Sequence, residues 1–286
     1  MRALPLFVSA LAAAVGILAS APAGAVPVVF EGVGAAPAAI TPTRDAFRAA
    51  IGGGTVAGAN GSFGGLRREI NWDGVPDAFA DPNALPANFF NTTSPRGAVF
   101  STPGTGFLVS ANAGGATPPL FGFGNDFQTF SPQRLFTAVN SNITDVQFFV
   151  PGTSNAATTS AFGVIFVDVE VAGQTRLEFF DAADQLVFSR DALVGGNQGL
   201  SFLGVNFTTE DIARVRITSG MNTIVANGVL GNPNDDGVVM DDFLYAEPTI
   251  AAIPEPETYA LMGAGLIALA LARRRAARRT GSKTIP

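Results

Sequence analysis

The sequence predicts an all-β fold, a β-sandwich of jelly-roll type, and three observations carry that expectation. Short runs rich in β-branched and aromatic residues recur through the middle of the chain, each bounded by Gly, Asn, Asp or Pro. Helical periodicity is scarce. No period of about 20 to 50 residues repeats, which sets solenoids and propellers aside.

Taken in order, the strand candidates are Val28–Phe30, Ala98–Ser101, Gly106–Ser110, Leu135–Val139, Ile143–Val150, Phe162–Val171, Thr175–Phe180, Gln185–Ser189, Ser201–Phe207, Arg214–Thr218 and Val238–Ala246. Within the sixth, Ile165, Val167, Val169 and Val171 alternate with Phe166, Asp168 and Glu170, the period of a strand with one buried face. Ala172-Gly173-Gln174 and Ala182-Ala183-Asp184 then turn the chain into a meander of antiparallel hairpins. Thr43 is placed to cap a helix over Arg44–Ala50, with Gly52 to stop it. Thr209-Glu210-Asp211-Ile212 reads as one helical turn. The expected domain runs from Val26 to Glu247, with Gly52–Asn91 as a loop-rich insertion and Pro248–Ile253 as a linker. Phe179-Phe180-Asp181, Ser201–Val205 and Met240–Tyr245 give the half from Phe162 to Tyr245 a loose resemblance to carbohydrate-binding or galactose-binding-like sandwiches.

Composition narrows the chemistry. The 286 residues include no Cys and no His, which excludes disulfides and any mechanism needing a thiolate or an imidazole. A domain of about 220 residues buries enough apolar surface without such staples. From Val26 to Ile250 there are about 10 Arg, no Lys and about 21 acids, roughly −11 in charge. Nucleic acid is therefore not an expected partner, because phosphate binding is driven by Lys and Arg.

The two ends read as targeting segments. Arg2, the apolar run Leu6–Leu18 and Ala23-Gly24-Ala25 have the order of a secretory signal cleaved before Val26, which calls for a secretion translocon and a signal peptidase. The rival reading, an uncleaved anchor, has a short apolar run against it. At the C-terminus, Pro254-Glu255-Pro256 precedes the apolar helix Thr258–Ala272 and the cluster Arg273, Arg274, Arg275, Arg278 and Arg279. The apolar run of about 15 residues falls short of the roughly 20 that span comfortably, but Arg side chains snorkel to extend it. A single short transmembrane helix is expected, with its Arg cluster cytoplasmic. This ordered trio, over residues 254–280, resembles the PEP-CTERM sorting signal of Gram-negative bacteria. The resemblance implies an exosortase-type enzyme acting near Pro254, Glu255 and Pro256, transient anchoring through the helix and Arg273–Arg275, and delivery to the surface or matrix of an exopolysaccharide-making cell. An ordinary uncut anchor is the alternative.

In the middle, Glu69, Asn71 and Asp73 fall at alternate positions, followed by Gly74 and then Asp77, the spacing by which tight loops present oxygens to Ca²⁺. Asp73–Asp77 also resembles the end of a thrombospondin type-3 calcium repeat, with Glu and Asn departing from its first positions and no second repeat. A second acidic loop places Asp235 and Asp236 before Gly237, with Asp241 or Asp242 as a substitute for the distant bidentate acid. The plainer readings are a solvated Asp-Gly turn with Trp72 packed on the core for the first loop and a polar hairpin for the second. Trp72 and Tyr245 are the aromatic candidates for stacking on a sugar. There is no nucleophile elbow and no phosphate loop, and a triad is impossible without His. Two readings of function remain. One is a non-catalytic surface or matrix protein that contacts exopolysaccharide and calcium. The other is a secreted glycosidase or polysaccharide lyase working through carboxylates.

Overall fold

A computed structural model describes residues 26–207, 212–226, 228–250 and 256–280. The expected signal at Met1–Ala25, the helical turn at 209–211, the linker end at 251–253, and Pro254 and Glu255 lie outside the described residues.

The strands are β1 (Val28–Gly34), β2 (Ser62–Phe63), β3 (Arg67–Ile70), β4 (Ala98–Ser101), β5 (Gly106–Val109), β6 (Phe136–Val139), β7 (Ile143–Phe148), β8 (Ala161–Val167), β9 (Arg176–Phe180), β10 (Leu186–Asp191), β11 (Leu200–Asn206), β12 (Arg214–Thr218), β13 (Ile224–Val225), β14 (Val229–Leu230) and β15 (Val239–Ala246). The helices are α1 (Pro37–Ile51), α2 (Phe89–Thr92) and α3 (Pro256–Thr280). The fold is mostly β, as expected.

Two sheets form. The larger runs β1-β11-β8-β15-β6-β13-β14, with β3 also paired to β15 and β5 to β6; the smaller runs β10-β9-β12-β7-β4. Both contribute to one core. Phe162, Val164, Phe166, Leu203, Val205, Phe243 and Tyr245 of the larger sheet cluster with Val146, Phe148, Leu177, Phe179, Val215 and Ile217 of the smaller. This is the expected alternation of inward-facing residues.

The sequence expectation fails on the other face of the larger sheet. β8 and β15 are buried along their whole length, because α1 and the segment 120–135 cover the face that a simple sandwich leaves wet. The covering is built into the strands. Gly163 and Gly204 are paired across β8 and β11, and a Cβ on either would come within 3 Å of the Phe47 ring of α1. Their missing side chains make the notch in which α1 lies, with Phe47 edge-on to Phe30 and Phe202.

The meander is corrected as well. Only the turn at 182–184 joins hairpin neighbours, β9 and β10; the turn at 172–174 carries the chain from one sheet to the other. Asp168 starts that departure with a φ of 74°. α1 begins at Pro37, well before Thr43, and runs through Pro42; Pro37 suits a first-turn position, where a missing N–H costs nothing. The supposed insertion supplies β3 to the larger sheet.

Candidate functional site

The charged residues of β3 tie the sheet to α1. Arg67 is 2% exposed, and its guanidinium donates to the carbonyls of Arg48, Gly52 and Gly54, capping the C-terminal end of α1. Its Nε donates to Glu69 at 2.7 Å, and Arg48 reaches the same carboxylate with both Nε and Nη2. Arg68 pairs with Glu247 just beyond β15. Glu69 thus faces guanidinium groups, not an open loop.

The rest of the predicted calcium loop is also turned toward protein donors. Asn71 donates to Asp73 at 3.1 Å, and Asp73 accepts from the backbone N–H of Gln133 and Arg134. Asp77 accepts from Asn112 at 3.0 Å and from the buried Arg134 guanidinium. The physical reason is local. Arg67–Ile70 is a strand and Trp72–Gly74 a single 3-10 turn, so the alternate positions do not curl around one centre.

Asp235 is joined to Asn232, while Asp236 is buried and accepts from the N–H of Glu170 and Val171. The predicted metal residues therefore occupy separate places. Among the described residues no three acids are grouped to hold a metal ion.

Asp241 and Asp242 form the most unusual polar feature of the interior. β15 carries one extra residue between Met240 and Phe243, a bulge that turns both carboxyls to the same face. Simple alternation would have put one of them inward. Asp241 accepts from Phe130 N–H at 2.7 Å and from Ser131, whose hydroxyl also reaches Asp242 at 2.8 Å. Burial, then the neighbouring Asp242, push the Asp241 carboxyl well above the usual carboxylate range; burial also raises Asp242. The pair is sealed from solvent: they are 0% and 5% exposed.

Both aromatic candidates are corrected. Trp72 is fully buried, stacked on Phe136 with ring centroids 4.1 Å apart, and its Nε1 donates to the Asp241 carbonyl. Tyr245 is fully buried and donates to the Arg96 carbonyl. Neither presents a face to a sugar.

Sequence reasoning missed an open cleft of about 500 Å³ lined by Asp77, Asp81, Asn83, Asn112 and the small residues 113–116. The Asp81 carboxyl has no hydrogen-bond or ion-pair partner among the described residues, and burial raises its pKa. The signal in sequence was weak, since the two sides lie about 30 residues apart in chain order and carry no shared motif.

At the C-terminus, Pro256 begins α3, and Leu261, Met262, Leu266, Ile267, Leu269 and Leu271 along it are exposed, as are Arg273 and Arg274. Among the described residues no helix is long and apolar enough to cross a membrane.

Residues 252–275 match the PEP-CTERM protein-sorting motif. No curated protein matches the chain. Among solved structures, the enzymatically active domain of bacteriophage CBA120 tailspike protein 4 aligns with 56% of this chain and 20% of its own length, at 12% identity and a TM-score of 0.26. The chain thus spans a small part of that tailspike domain.

Proposed function

We propose that this chain is an exported surface protein whose C-terminal segment is processed by an exosortase-type enzyme, and whose sandwich, jelly-roll in connectivity, then serves as a non-catalytic module in an exopolysaccharide matrix. One observation carries the reading: the sorting motif at 252–275 follows directly on the β domain, across the start of α3. In this reading Met1–Ala25 engages the translocon and signal peptidase, and Thr258–Ala272 with Arg273, Arg274 and Arg275 holds the chain at the membrane until it is cut near Pro254, Glu255 and Pro256.

The non-catalytic part is the reading's own premise, and one buried pair bears on it only in part. Asp241 and Asp242 are sealed in the interior, where no polysaccharide reaches them. Calcium keeps one place in this reading, the cleft lined by Asp77 and Asp81, where oxygen ligands face solvent.

The test replaces Pro254, Glu255 and Pro256 with Ala in the native host. The expected result is full-length protein retained in the membrane fraction and lost from the surface. Unchanged surface delivery would overturn the reading.

A further inference from the structure

The cleft between the turn at 77–83 and the loop at 111–117 has a chemistry of its own, set by which hydrogen-bonding groups are already engaged. Each of the two amides on its wall spends one of its two N–H donors on the protein: Asn112 donates to the Asp77 carboxylate at 3.0 Å, and Asn83 donates to the Asp77 carbonyl at 3.2 Å. Their carbonyl oxygens accept from no group among the described residues. Asp77 has one oxygen, Oδ1, held by Asn112 and by Arg134 behind the wall, which leaves Oδ2 free. Neither oxygen of Asp81 has a partner among the described residues, and both are partly withdrawn from water.

The surroundings keep the cleft open and fix its walls. The Asp81 N–H donates to the Val109 carbonyl at 2.7 Å and the Asn83 N–H to the Ala80 carbonyl at 2.8 Å, so the turn that carries both side chains is pinned to β5 and to itself. Opposite, Gly114 takes a φ of 90°, and a Cβ there would meet nothing within 4 Å. The rim on that side is low.

Partly desolvated acceptors are stabilised by ligand donors, and two carboxylates against one buried guanidinium leave the wall negative. A ligand that brings several O–H donors and a positive charge satisfies both conditions. An acidic ligand meets like charge. We propose that this cleft binds hydroxyl-rich saccharides of the amino-sugar class, with Asp81 receiving the ammonium or its nearest hydroxyl and Asn83 and Asn112 accepting neighbouring hydroxyls. The proposal rests on the surface-matrix reading, since it names the class of glycan unit that the module contacts.

The experiment is ligand-observed NMR on the full chain in detergent, with EGTA present throughout. The probes are glucosamine, methyl glucoside and glucuronate. Binding is expected in the order glucosamine, methyl glucoside, glucuronate, with Asp81→Asn weakening glucosamine about tenfold, the cost of one charge-assisted hydrogen bond. Asn112→Ala is expected to weaken all three probes while the unfolding midpoint stays unchanged. Both substitutions lie outside the core, so the variants report on the cleft and not on folding. Glucuronate binding as well as glucosamine, no binding of any probe, or glucosamine binding untouched by both substitutions would each overturn the proposal. These outcomes are separate from the sorting experiment, which reads the location of the protein and not its ligand.

Discussion

The two faces of the larger sheet are packed by different chemistry. The inner face meets the smaller sheet through hydrocarbon, with Trp72, Phe100, Phe136, Phe162 and Phe243 in mutual ring contact. The outer face is closed by α1 and irregular chain, and its edges are fastened by charge. Arg67 holds the end of α1, Asp73 holds the backbone at 133–134, and the Asp241–Asp242 bulge holds the backbone at 130–131. A sheet needs only matching side chains to pack on another sheet. A loop brings backbone N–H and C=O groups that must be satisfied when buried, and here the side chains of Arg67, Asp73 and Asp241 satisfy them.

The largest expected effect lies on the inner face. Trp72→Ala removes a fully buried indole and is expected to cost about 3 to 5 kcal/mol in denaturant unfolding. A loss under about 1 kcal/mol would break the comparison, since the inner face would then not depend on its ring cluster.

The next effect lies on the outer face. Arg67→Met keeps the volume but leaves Glu69 short of one partner and the last carbonyls of α1 uncapped. The expected cost is about 2 to 3 kcal/mol, and Arg67→Lys should recover only part of it, because an ammonium cannot reproduce the planar fork. Equal stability of Arg67→Met and the parent would show that packing alone fastens α1.

The third effect depends on pH. Burial pushes the Asp168 carboxyl up to about 7, against the Gln198 N–H, which lowers it; Glu170, Asp126 and Asp236 add to the rise. An acid whose folded pKa is raised binds its proton more tightly when folded. Stability is therefore fully present below the ordinary carboxylate range and falls as pH rises to about 7. Asp168→Asn still accepts the Gln198 N–H, and it is expected to flatten that fall and gain on the order of 2 kcal/mol at pH 8. An unchanged pH profile would contradict this.

The smallest effect is at the surface. Arg190 pairs with Glu31 through two bonds of 2.7 Å, yet it is half exposed, and Arg190→Ala should cost less than about 1 kcal/mol.

The same contrast explains what could be read in the sequence. Strands of the inner core announce themselves by period two, so β4 and β12 were placed with the boundaries the structure gives them, and β9 within a residue. β3 did not, because Arg67-Arg68-Glu69 carries no apolar alternation and its partners lie as far as 179 residues away. The full length of α1 was hidden by Pro42, which reads as a stop. Trp72 and Asp73 read as a sugar-stacking ring and a calcium ligand, because their actual partners, Phe136 and the backbone at 133–134, are set by tertiary packing and carry no local pattern. The cleft at Asp77 and Asp81 was half visible, as one acid of an expected calcium loop.

The most direct test of sorting is the intact mass of the protein recovered from the surface of its native host. The account predicts a chain that begins near Val26 and ends near Pro254–Pro256, without α3. A surface form that still carries Arg273–Arg275 and the residues beyond would contradict it.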